Sequence, residues 1–220
     1  MRKSTRAELQ SEEKREGESD KTTPYERIVT AALICIERQG IESSGIRDIA
    51  REAGVNSAAI NYYFRNKENL IRLAMENSLE RTFGEILDAL DTMTANGMPL
   101  NDALLQAFDA FVADLQRAPR LSYAHLRDAL VNQCYDGPAV QRGIEFLRQL
   151  EMRLVQKHAH CDRDTLRNLL VQLWSSLMLT ALLPQLYEQF VFLDLKDDEQ
   201  RSRYVRQLFE SLFRYLDSLK

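Results

Sequence analysis

Apolar side chains recur every three or four residues along almost the whole 220-residue chain, which is the spacing of α-helices with one buried face. The first clear stripe consists of Ile28, Val29, Ala32, Leu33 and Ile36. Gly40 then ends the run, as glycine commonly ends a helix. No stretch alternates convincingly like a β-strand, no internal repeat is visible, and 8 glycines and 5 prolines are few for a many-turned protein. The sequence therefore predicts an all-α protein.

The first 23 residues differ from the rest, because Ala7 and Leu9 are their only aliphatic side chains among many charged ones. Such a segment buries too little apolar surface to offset the entropy of ordering it, so we expect residues 1–23 to form a disordered tail. Order is expected from Pro24, since proline is favoured in the first turn of a helix. Further helices are predicted at about 46–53, 57–64, 66–97, 100–117, 120–134, 138–159, 163–190 and 197–219.

The stretch from Gly45 to Leu70 has the pattern of two short helices joined by a tight turn. Gly54 suits a turn with positive φ, and Asn56 suits the N-cap of the second helix. The apolar side consists of Ile46, Ile49, Ala50 and Ala53 in the first helix and of Ala59, Ile60 and Phe64 in the second, with Val55 as an apolar plug between them. This arrangement predicts a helix-turn-helix.

The outward side of the second helix has residue types that suit a DNA major groove. Small residues at its start permit a close approach, and the amide of Asn61 can both donate to and accept from a base edge. Lys67 begins the next helix, where its ammonium and the helix N–H groups would face a phosphate. The predicted DNA contacts are Arg47, Ser57, Ala58, Asn61, Tyr62, Tyr63 and Lys67. The alternative is that the Tyr62–Phe64 run simply belongs to the core.

These residues also give the segment a family resemblance. It resembles the N-terminal domain of the TetR (tetracycline-repressor) family over about residues 25–72, with almost no gap. The resemblance rests on Ile46-Arg47-Asp48-Ile49-Ala50-Arg51-Glu52-Ala53-Gly54-Val55 and on Ala59-Ile60-Asn61-Tyr62-Tyr63-Phe64-Arg65-Asn66-Lys67-Glu68-Asn69-Leu70. Many members have an aromatic residue at the position of Asn61 and histidine at that of Tyr63, so no operator preference is carried over.

The resemblance implies a homodimeric transcriptional regulator, usually a repressor that a small ligand releases from a near-palindromic double-stranded DNA operator. It places the second short helix in the major groove and the residue matching Lys67 on a backbone phosphate. It also implies that the last two helices build a four-helix dimer interface. We therefore expect a tail at 1–23, a helix-turn-helix DNA-binding domain at 24–70, and a ligand-sensing and dimerisation domain at 71–220.

The last two predicted helices support this dimer through their own pattern, because their apolar faces are wide for a single neighbour. A second subunit would bury what one subunit leaves exposed to water. We expect interface contacts from Leu166, Leu170, Leu173, Leu177, Leu208, Leu212 and Phe213.

A pocket for a small-molecule effector is expected in the helical region of about 75–190, lined by apolar residues and a few polar ones. The candidates are Phe108, Phe111, Tyr123, His125, Cys134, Trp174 and Met178, together with Tyr187. The alternative for each of them is an ordinary core or surface position. These residues do not indicate the chemistry of the ligand.

Other functional classes find little support. The chain has no glycine-rich phosphate loop, nucleophile elbow or paired helical histidines with an acid between them, so neither an enzyme nor a cofactor is predicted. The run His158-Ala159-His160-Cys161-Asp162 has metal-binding residue types, but adjacent ligands rarely satisfy a tetrahedral site. We interpret it as a polar helix end and predict no metal, with a metal-responsive regulator as an alternative. A second alternative is a DNA-binding helical dimer that a protein partner controls instead of a small ligand.

Charge and cysteine usage bear on where the chain acts. The net charge of −4 divides into +1 for residues 1–67 and −5 for residues 68–220, so modest non-specific DNA affinity is expected. Arg2, Lys3 and Arg6 could let the tail reach along DNA.

Three cysteines without a close pair favour a reducing cytoplasm over a disulfide framework. The uncharged stretch 168–187 is interrupted by Pro184, which favours a helix buried on nearly all sides over a membrane span.

Overall fold

The computed structural model describes residues 22–219, and the fold is 81% helical. No β-strand occurs among the described residues, so the all-α prediction is confirmed. The disorder expected for residues 1–23 falls mostly outside this range, because residues 1–21 are not among those described.

The helices follow one another with short connections. They are α1 (Pro24–Gln39), α2 (Ile46–Ala53), α3 (Ser57–Phe64), α4 (Lys67–Ala95), α5 (Leu100–Arg117), α6 (Pro119–Val131), α7 (Pro138–Lys157), α8 (Arg163–Leu182), α9 (Pro184–Leu186) and α10 (Asp198–Ser218). The single turn of α9 continues as a π-helical turn over Tyr187–Val191. The predicted bounds agree with these to within three residues, except in the helix expected at 163–190.

That predicted helix is wrong beyond Leu182. Pro184 lacks a backbone N–H and its ring clashes with the preceding turn, so the helix cannot continue through it. The chain bends by 97° between Arg163–Leu182 and Pro184–Val191. Within the described range, no single helix is long and apolar enough to cross a membrane, although this bent pair meets the length and composition criteria when its two parts are taken together.

Buried side chains form two large clusters. The N-terminal cluster packs α1, α2, α3 and the start of α4, with members that include Ile28, Ile36, Ile49, Ile60, Phe64 and Leu70. The C-terminal cluster packs the rest of α4 against α5, α7, α8 and α10, with members that include Phe83, Phe108, Phe146, Leu170 and Phe209. Because α4 runs through both clusters, the domain boundary predicted at residue 70 lies inside a continuous helix, and it stays a prediction.

Candidate functional site

The helix-turn-helix forms as its local signals predict. Gly54 has φ +64° and ψ +36°, the left-handed conformation that glycine adopts without strain, and this bends the chain from α2 into α3. The Asn56 side chain then accepts a hydrogen bond from the N–H of Ala59 at 2.8 Å, which caps α3. Ile60 and Phe64 are fully buried and fix the inner side of α3 against the N-terminal cluster.

The opposite side of α3 faces solvent. Ala58 and Asn61 are exposed, and Tyr62 is 81% exposed, while Ser57 is half-buried at the start of the helix. Residues four apart on a helix are neighbours, so Ser57 lies beside Asn61 and Ala58 beside Tyr62. The structure therefore brings four of the predicted contact residues onto one small uncharged surface, which we call the α3 face. Arg47 is also exposed, on the preceding helix α2.

Tyr63 has a mixed environment. Its ring is 40% exposed, and it packs edge-on against Tyr25 of α1 with ring centroids 6.2 Å apart. Tyr25 in turn stacks on the buried ring of Phe64 at 4.9 Å. Both interpretations of the run hold in part, because Phe64 is core, Tyr62 is on the surface, and Tyr63 connects the two.

Lys67 lies at the first turn of α4, next to the N-cap Asn66, whose side chain accepts from the N–H of Asn69 at 2.8 Å. The ammonium of Lys67 donates to the backbone carbonyl of Glu42 at 3.1 Å, which holds it against the loop after α1. An ammonium group has three donors, so this bond leaves two for a phosphate oxygen. Lys67 is therefore positioned by the fold while keeping its capacity to bind an anion.

A second set of contacts links this region to α6. The carboxylate of Glu37 on α1 accepts from the N–H of Leu121 at 2.8 Å, and Arg127 on α6 pairs with Glu42 at 2.9 Å. Arg120 also donates to the carbonyl of Arg38. Sequence reasoning missed these residues, because each pair is separated by more than 80 residues and no local signal connects its members.

A cavity of about 350 Å³ opens between α4, α5, α6 and α8, which we call the aromatic cavity. Four of the predicted pocket residues line it, namely Phe111, His125, Trp174 and Met178. The rings of Phe111 and Trp174 are nearly parallel, with centroids 5.8 Å apart, and Phe83 meets Trp174 edge-on at 5.7 Å. The cavity therefore has an aromatic wall.

The remaining predicted pocket residues lie elsewhere. Phe108 is buried inside the C-terminal cluster, where it packs on Phe209 at 5.2 Å. Tyr123 is on the outer side of α6 and is 47% exposed, and Cys134 is exposed in the loop after α6. Tyr187 belongs to a small separate cluster with Leu193 and Leu195. These four do not line the aromatic cavity, because helical spacing shows which side is inward but not what lies opposite, and their contact with a ligand stays a prediction.

Apart from two exposed ion pairs, His125 is the one titratable side chain that lines the cavity among the described residues. Burial lowers its pKa from 6.5 to about 4, so the imidazole is neutral at physiological pH. Its Nδ1 is buried and has no hydrogen-bond partner within the described part of the chain. That nitrogen has almost no accessible surface, so it does not face the open part of the cavity.

The residues expected to form a dimer interface are mostly buried within one subunit. They are Leu166, Leu170, Leu173, Leu177, Leu212 and Phe213, all in the C-terminal cluster, while Leu208 is half-buried. Their own subunit covers most of their surface, because α8 packs on α5 and α7 and α10 packs on α5, while their contact with a second subunit stays a prediction.

The outer sides of α8 and α10 have a different composition. They enclose a groove lined by Thr165, Asn168, Leu169, Gln172, Leu173, Ser176, Leu208, Ser211, Leu212 and Tyr215. Every one of these residues is uncharged. The expectation that the stretch 168–187 is buried on nearly all sides is also wrong, because Val171, Gln172 and Ser175 are exposed.

Known proteins share both the motif and the fold. Residues 28–74 match the family described as bacterial regulatory proteins, tetR family. Over 85 residues the chain is 29% identical to the HTH-type transcriptional repressor KstR2 of Mycolicibacterium smegmatis, which covers 39% of this chain and 41% of that protein. Over 207 residues it is 23% identical to the uncharacterized HTH-type transcriptional regulator YvdT of Bacillus subtilis, covering 87% and 94% of the two chains.

A solved structure of a TetR transcriptional regulator from Legionella pneumophila matches with a TM-score of 0.59 at 19% identity, over 86% of this chain and 98% of that one. Residues 28–74 form a TetR-family helix-turn-helix domain. The fold resembles that of TetR-family proteins: a short N-terminal helix-turn-helix domain precedes a larger helical domain, as the sequence predicts. The family and the relatives named above are transcriptional regulators rather than enzymes.

The histidine-rich run at 158–162 has structural roles. Nε2 of His160 lies 2.9 Å from the carbonyl of Leu216 on α10, and Asp162 caps α8 by accepting from the N–H of Thr165 at 2.9 Å. His158 is buried at the end of α7. Across residues 22–219 no group of three or more His, Cys, Asp and Glu side chains is arranged to hold a metal ion.

Proposed function

We propose that this TetR-family protein is a ligand-responsive transcriptional repressor that binds a near-palindromic DNA operator as a homodimer. The observation that carries the proposal is the α3 face, where Ala58, Asn61 and Tyr62 project into solvent from a helix held by Ile60 and Phe64. In a helix-turn-helix the second helix enters the major groove, and its outward side chains meet the base edges. A small residue beside an asparagine and a tyrosine suits that contact, since Asn can form two hydrogen bonds to adenine.

Contacts to the DNA backbone come from the cations that border the α3 face. Lys67 stands at the start of α4 with donors to spare, and the N–H groups of that helix end add a favourable electrostatic field for a phosphate. Arg47 is exposed on α2. Such contacts fix the register of the protein on DNA, while the α3 face reads the sequence.

Dimerisation is supported by the groove between α8 and α10. Depletion of charged residues is characteristic of the central part of protein interfaces, and this groove has none although 28% of the chain is charged. We place a second copy of the chain on this outer surface. Two α3 helices about 34–36 Å apart would then enter successive major grooves, which is why a near-palindromic operator is expected.

Release by a ligand is supported by the position of α6. Its inner side contributes Leu121, Ser122 and His125 to the aromatic cavity, and its other contacts hold α1 and the loop beside Lys67. A ligand that shifts α6 would therefore change the orientation of the helix-turn-helix. Such a ligand acts by favouring the arrangement in which the two α3 helices no longer match the operator.

The test is DNA binding by the full chain and matched variants on a fragment selected from genomic DNA. Affinity of the parent should fall as salt rises. Asn61→Ala should lose about 1–3 kcal/mol on the selected operator and alter sequence preference, and Lys67→Ala should weaken binding to all sequences and lower the salt slope by about one. Asn101→Ala and Lys196→Ala, which lie in the C-terminal part, serve as controls and should bind like the parent. Salt-independent binding, or unchanged operator preference in Asn61→Ala, would contradict the proposal.

Control by a protein partner is a second candidate, favoured by the exposed apolar side chains after α8. Phe190 is 79% exposed and Phe192 85%, and Leu183, Leu186 and Val191 are each about half exposed. Contiguous apolar patches of this kind mark sites of protein contact. A Phe190→Ser, Phe192→Ser variant separates the candidates, because it removes this patch and leaves the aromatic cavity intact. Loss of regulation with an unchanged response to small molecules would favour the second candidate.

A further inference from the structure

The composition of α3 restricts which base pairs it can read. None of its eight residues is charged. Guanine is read most often by arginine or lysine, which donate to its O6 and N7, and cytosine by aspartate or glutamate, which accept from its N4 amino group. The α3 face therefore lacks the side chains that usually recognise a G·C pair in the major groove.

The cations around the α3 face are placed for phosphates rather than for bases. Arg47 and Arg51 belong to α2, the helix that crosses the DNA backbone in a helix-turn-helix, and Arg51 is already paired with Asp48 at 2.7 Å. A backbone carbonyl of the loop after α1 holds Lys67 at the start of α4. Arg65 follows the C-terminal end of α3, whereas the base contacts of a recognition helix come mainly from its N-terminal residues.

Asn61 supplies a polar group that is available for a base edge. Its side chain is exposed and makes no hydrogen bond with any other residue in the described part of the chain. Adenine presents the N7 acceptor and the N6 amino donor side by side, and the NH₂ and C=O groups of an asparagine amide match this pair. Among the four bases, adenine is therefore the one that Asn61 fits with two hydrogen bonds.

The neighbours of Asn61 on the α3 face are apolar. Ala58 precedes Asn61 by three residues and Tyr62 by four, so the three side chains lie together. The ring of Tyr62 packs edge-on against Tyr63, with centroids 5.1 Å apart, and Tyr63 packs in turn on Tyr25. This support orients the Tyr62 ring before DNA binds, which lowers the entropy lost on contact. Apolar side chains in the major groove recognise the C5-methyl group of thymine.

We propose that α3 reads adjacent A·T pairs in each operator half-site, with Asn61 bound to N6 and N7 of an adenine and with Ala58 and Tyr62 packed on thymine methyl groups. Three residues advance about 4.5 Å along a helix axis, comparable to the spacing of roughly 3.4 Å between base pairs, so neighbouring base pairs are within reach of these side chains. The assignment rests on the proposed function, because it names the class of DNA sequence that the same face binds.

The test begins with an operator that the full-length protein selects from random double-stranded DNA at a salt concentration of about 0.15 M. The bases of one half-site are then replaced one at a time. Uracil in place of thymine removes the methyl group, and the 7-deaza analogues of adenine and guanine remove N7. Fluorescence anisotropy of the labelled DNA gives the affinity for each substituted operator.

We expect the parent to lose affinity at adenines and thymines. One 7-deazaadenine should weaken binding about fivefold, because one of the two hydrogen bonds from Asn61 is lost. Uracil should weaken binding about fourfold at each thymine whose methyl group is buried by Ala58 or Tyr62. No 7-deazaguanine should weaken binding.

Matched variants assign these losses to side chains. Asn61→Ala should bind the natural and the 7-deazaadenine operators equally, and Tyr62→Ala should lose the uracil effect at one thymine. Tyr135→Ala is the control for a lost tyrosine, because Tyr135 is 65% exposed in the loop between α6 and α7, outside the helix-turn-helix. It should respond to every substituted operator like the parent. Circular dichroism of each variant at 222 nm verifies that the helices form.

Three outcomes would overturn the assignment. They are a largest loss at a 7-deazaguanine, no loss at any adenine or thymine, and an undiminished 7-deazaadenine effect in Asn61→Ala. Failure of the proposed function looks different, because the parent would then select no sequence from random DNA. A selected operator whose sensitive positions are G·C pairs leaves the regulator standing and rejects the reading of A·T pairs alone.

Discussion

The two large clusters of buried residues are built from different side chains. Among the described buried residues of the N-terminal cluster Phe64 supplies the one aromatic ring, and the rest are aliphatic residues, alanines and Cys35. The C-terminal cluster contains Phe83, Phe108, Phe111, Phe146, Phe209 and Phe213, with Trp174 packed against it. Small aliphatic side chains let helices approach closely, whereas large rings hold helices further apart. The first cluster fixes α3, and the second borders the aromatic cavity.

The largest expected difference between the clusters is in how much free energy of unfolding is lost when a phenylalanine is replaced by alanine. Phe64→Ala should lower the free energy of unfolding by about 3–5 kcal/mol, because Phe64 is surrounded on all sides. Phe111→Ala should lower the free energy of unfolding by less, since one side of Phe111 already faces the aromatic cavity and makes fewer contacts. Urea unfolding followed by circular dichroism measures both. An equal loss in the two variants would mean that the cavity wall is as tightly packed as the N-terminal cluster.

A second difference concerns acid. The pKa of His125 is about 4 in the folded chain and 6.5 in the unfolded one, so between these values the unfolded chain binds more protons. Stability linked to His125 is therefore complete above pH 6.5 and falls as the pH is lowered, by up to about 1.4 kcal/mol per pH unit, or roughly 3 kcal/mol at pH 4.

Urea unfolding of the parent and of His125→Phe between pH 4 and 7.5 isolates this contribution, because the acidic residues titrate alike in both proteins. The difference in unfolding free energy between the two should shift by roughly 3 kcal/mol in favour of the variant as the pH falls. A constant difference across this range would show that His125 is not buried as a neutral group.

The two regions also differ in how far the sequence predicted them. The turn at Gly54 and the caps Asn56 and Asn66 are local signals, and each acts within four residues, so the helix-turn-helix bounds follow from the sequence. In the aromatic cavity Phe111 and Trp174 were predicted together with Phe108, which the fold buries elsewhere. Helical spacing indicates that a side chain points inward. Whether it then meets another ring or an open space depends on how four helices far apart in sequence come together.

The proposed interface between subunits illustrates the same distinction. The sequence predicts Leu173 as a contact because it is apolar, whereas the fold buries most of Leu173 within its own subunit and leaves Gln172 and Ser175 outside. An apolar stripe is first covered by the neighbouring helices of the same chain. The feature that supports the proposed second copy is the lack of charge between residues 168 and 187, which the sequence alone attributes to burial.

The smallest expected effect concerns the link between the two regions. Arg127 on α6 pairs with Glu42 at 2.9 Å, and the backbone carbonyl of the same Glu42 accepts from Lys67 at 3.1 Å. Because the Glu42 side chain is 78% exposed, the pair should contribute below about 1 kcal/mol to stability. Its greater effect should be on coupling, since it connects the helix that carries His125 to the loop that positions Lys67.

An effector for this test is a small molecule that raises the melting temperature of the protein and weakens operator binding. We expect Arg127→Ala to leave the separate affinities for operator and for this effector nearly unchanged. The factor by which the effector weakens operator binding should decrease by about two- to fivefold, the size of a surface ion pair. By linkage the operator must weaken effector binding by the same factor, so both titrations have to agree. Arg117→Ala is the control, because Arg117 forms a comparable ion pair with Asp114 at the cavity rim without contact to the helix-turn-helix. If this factor decreases equally in both variants, the shape of the cavity, rather than the α6 contact with Glu42, couples ligand binding to operator binding.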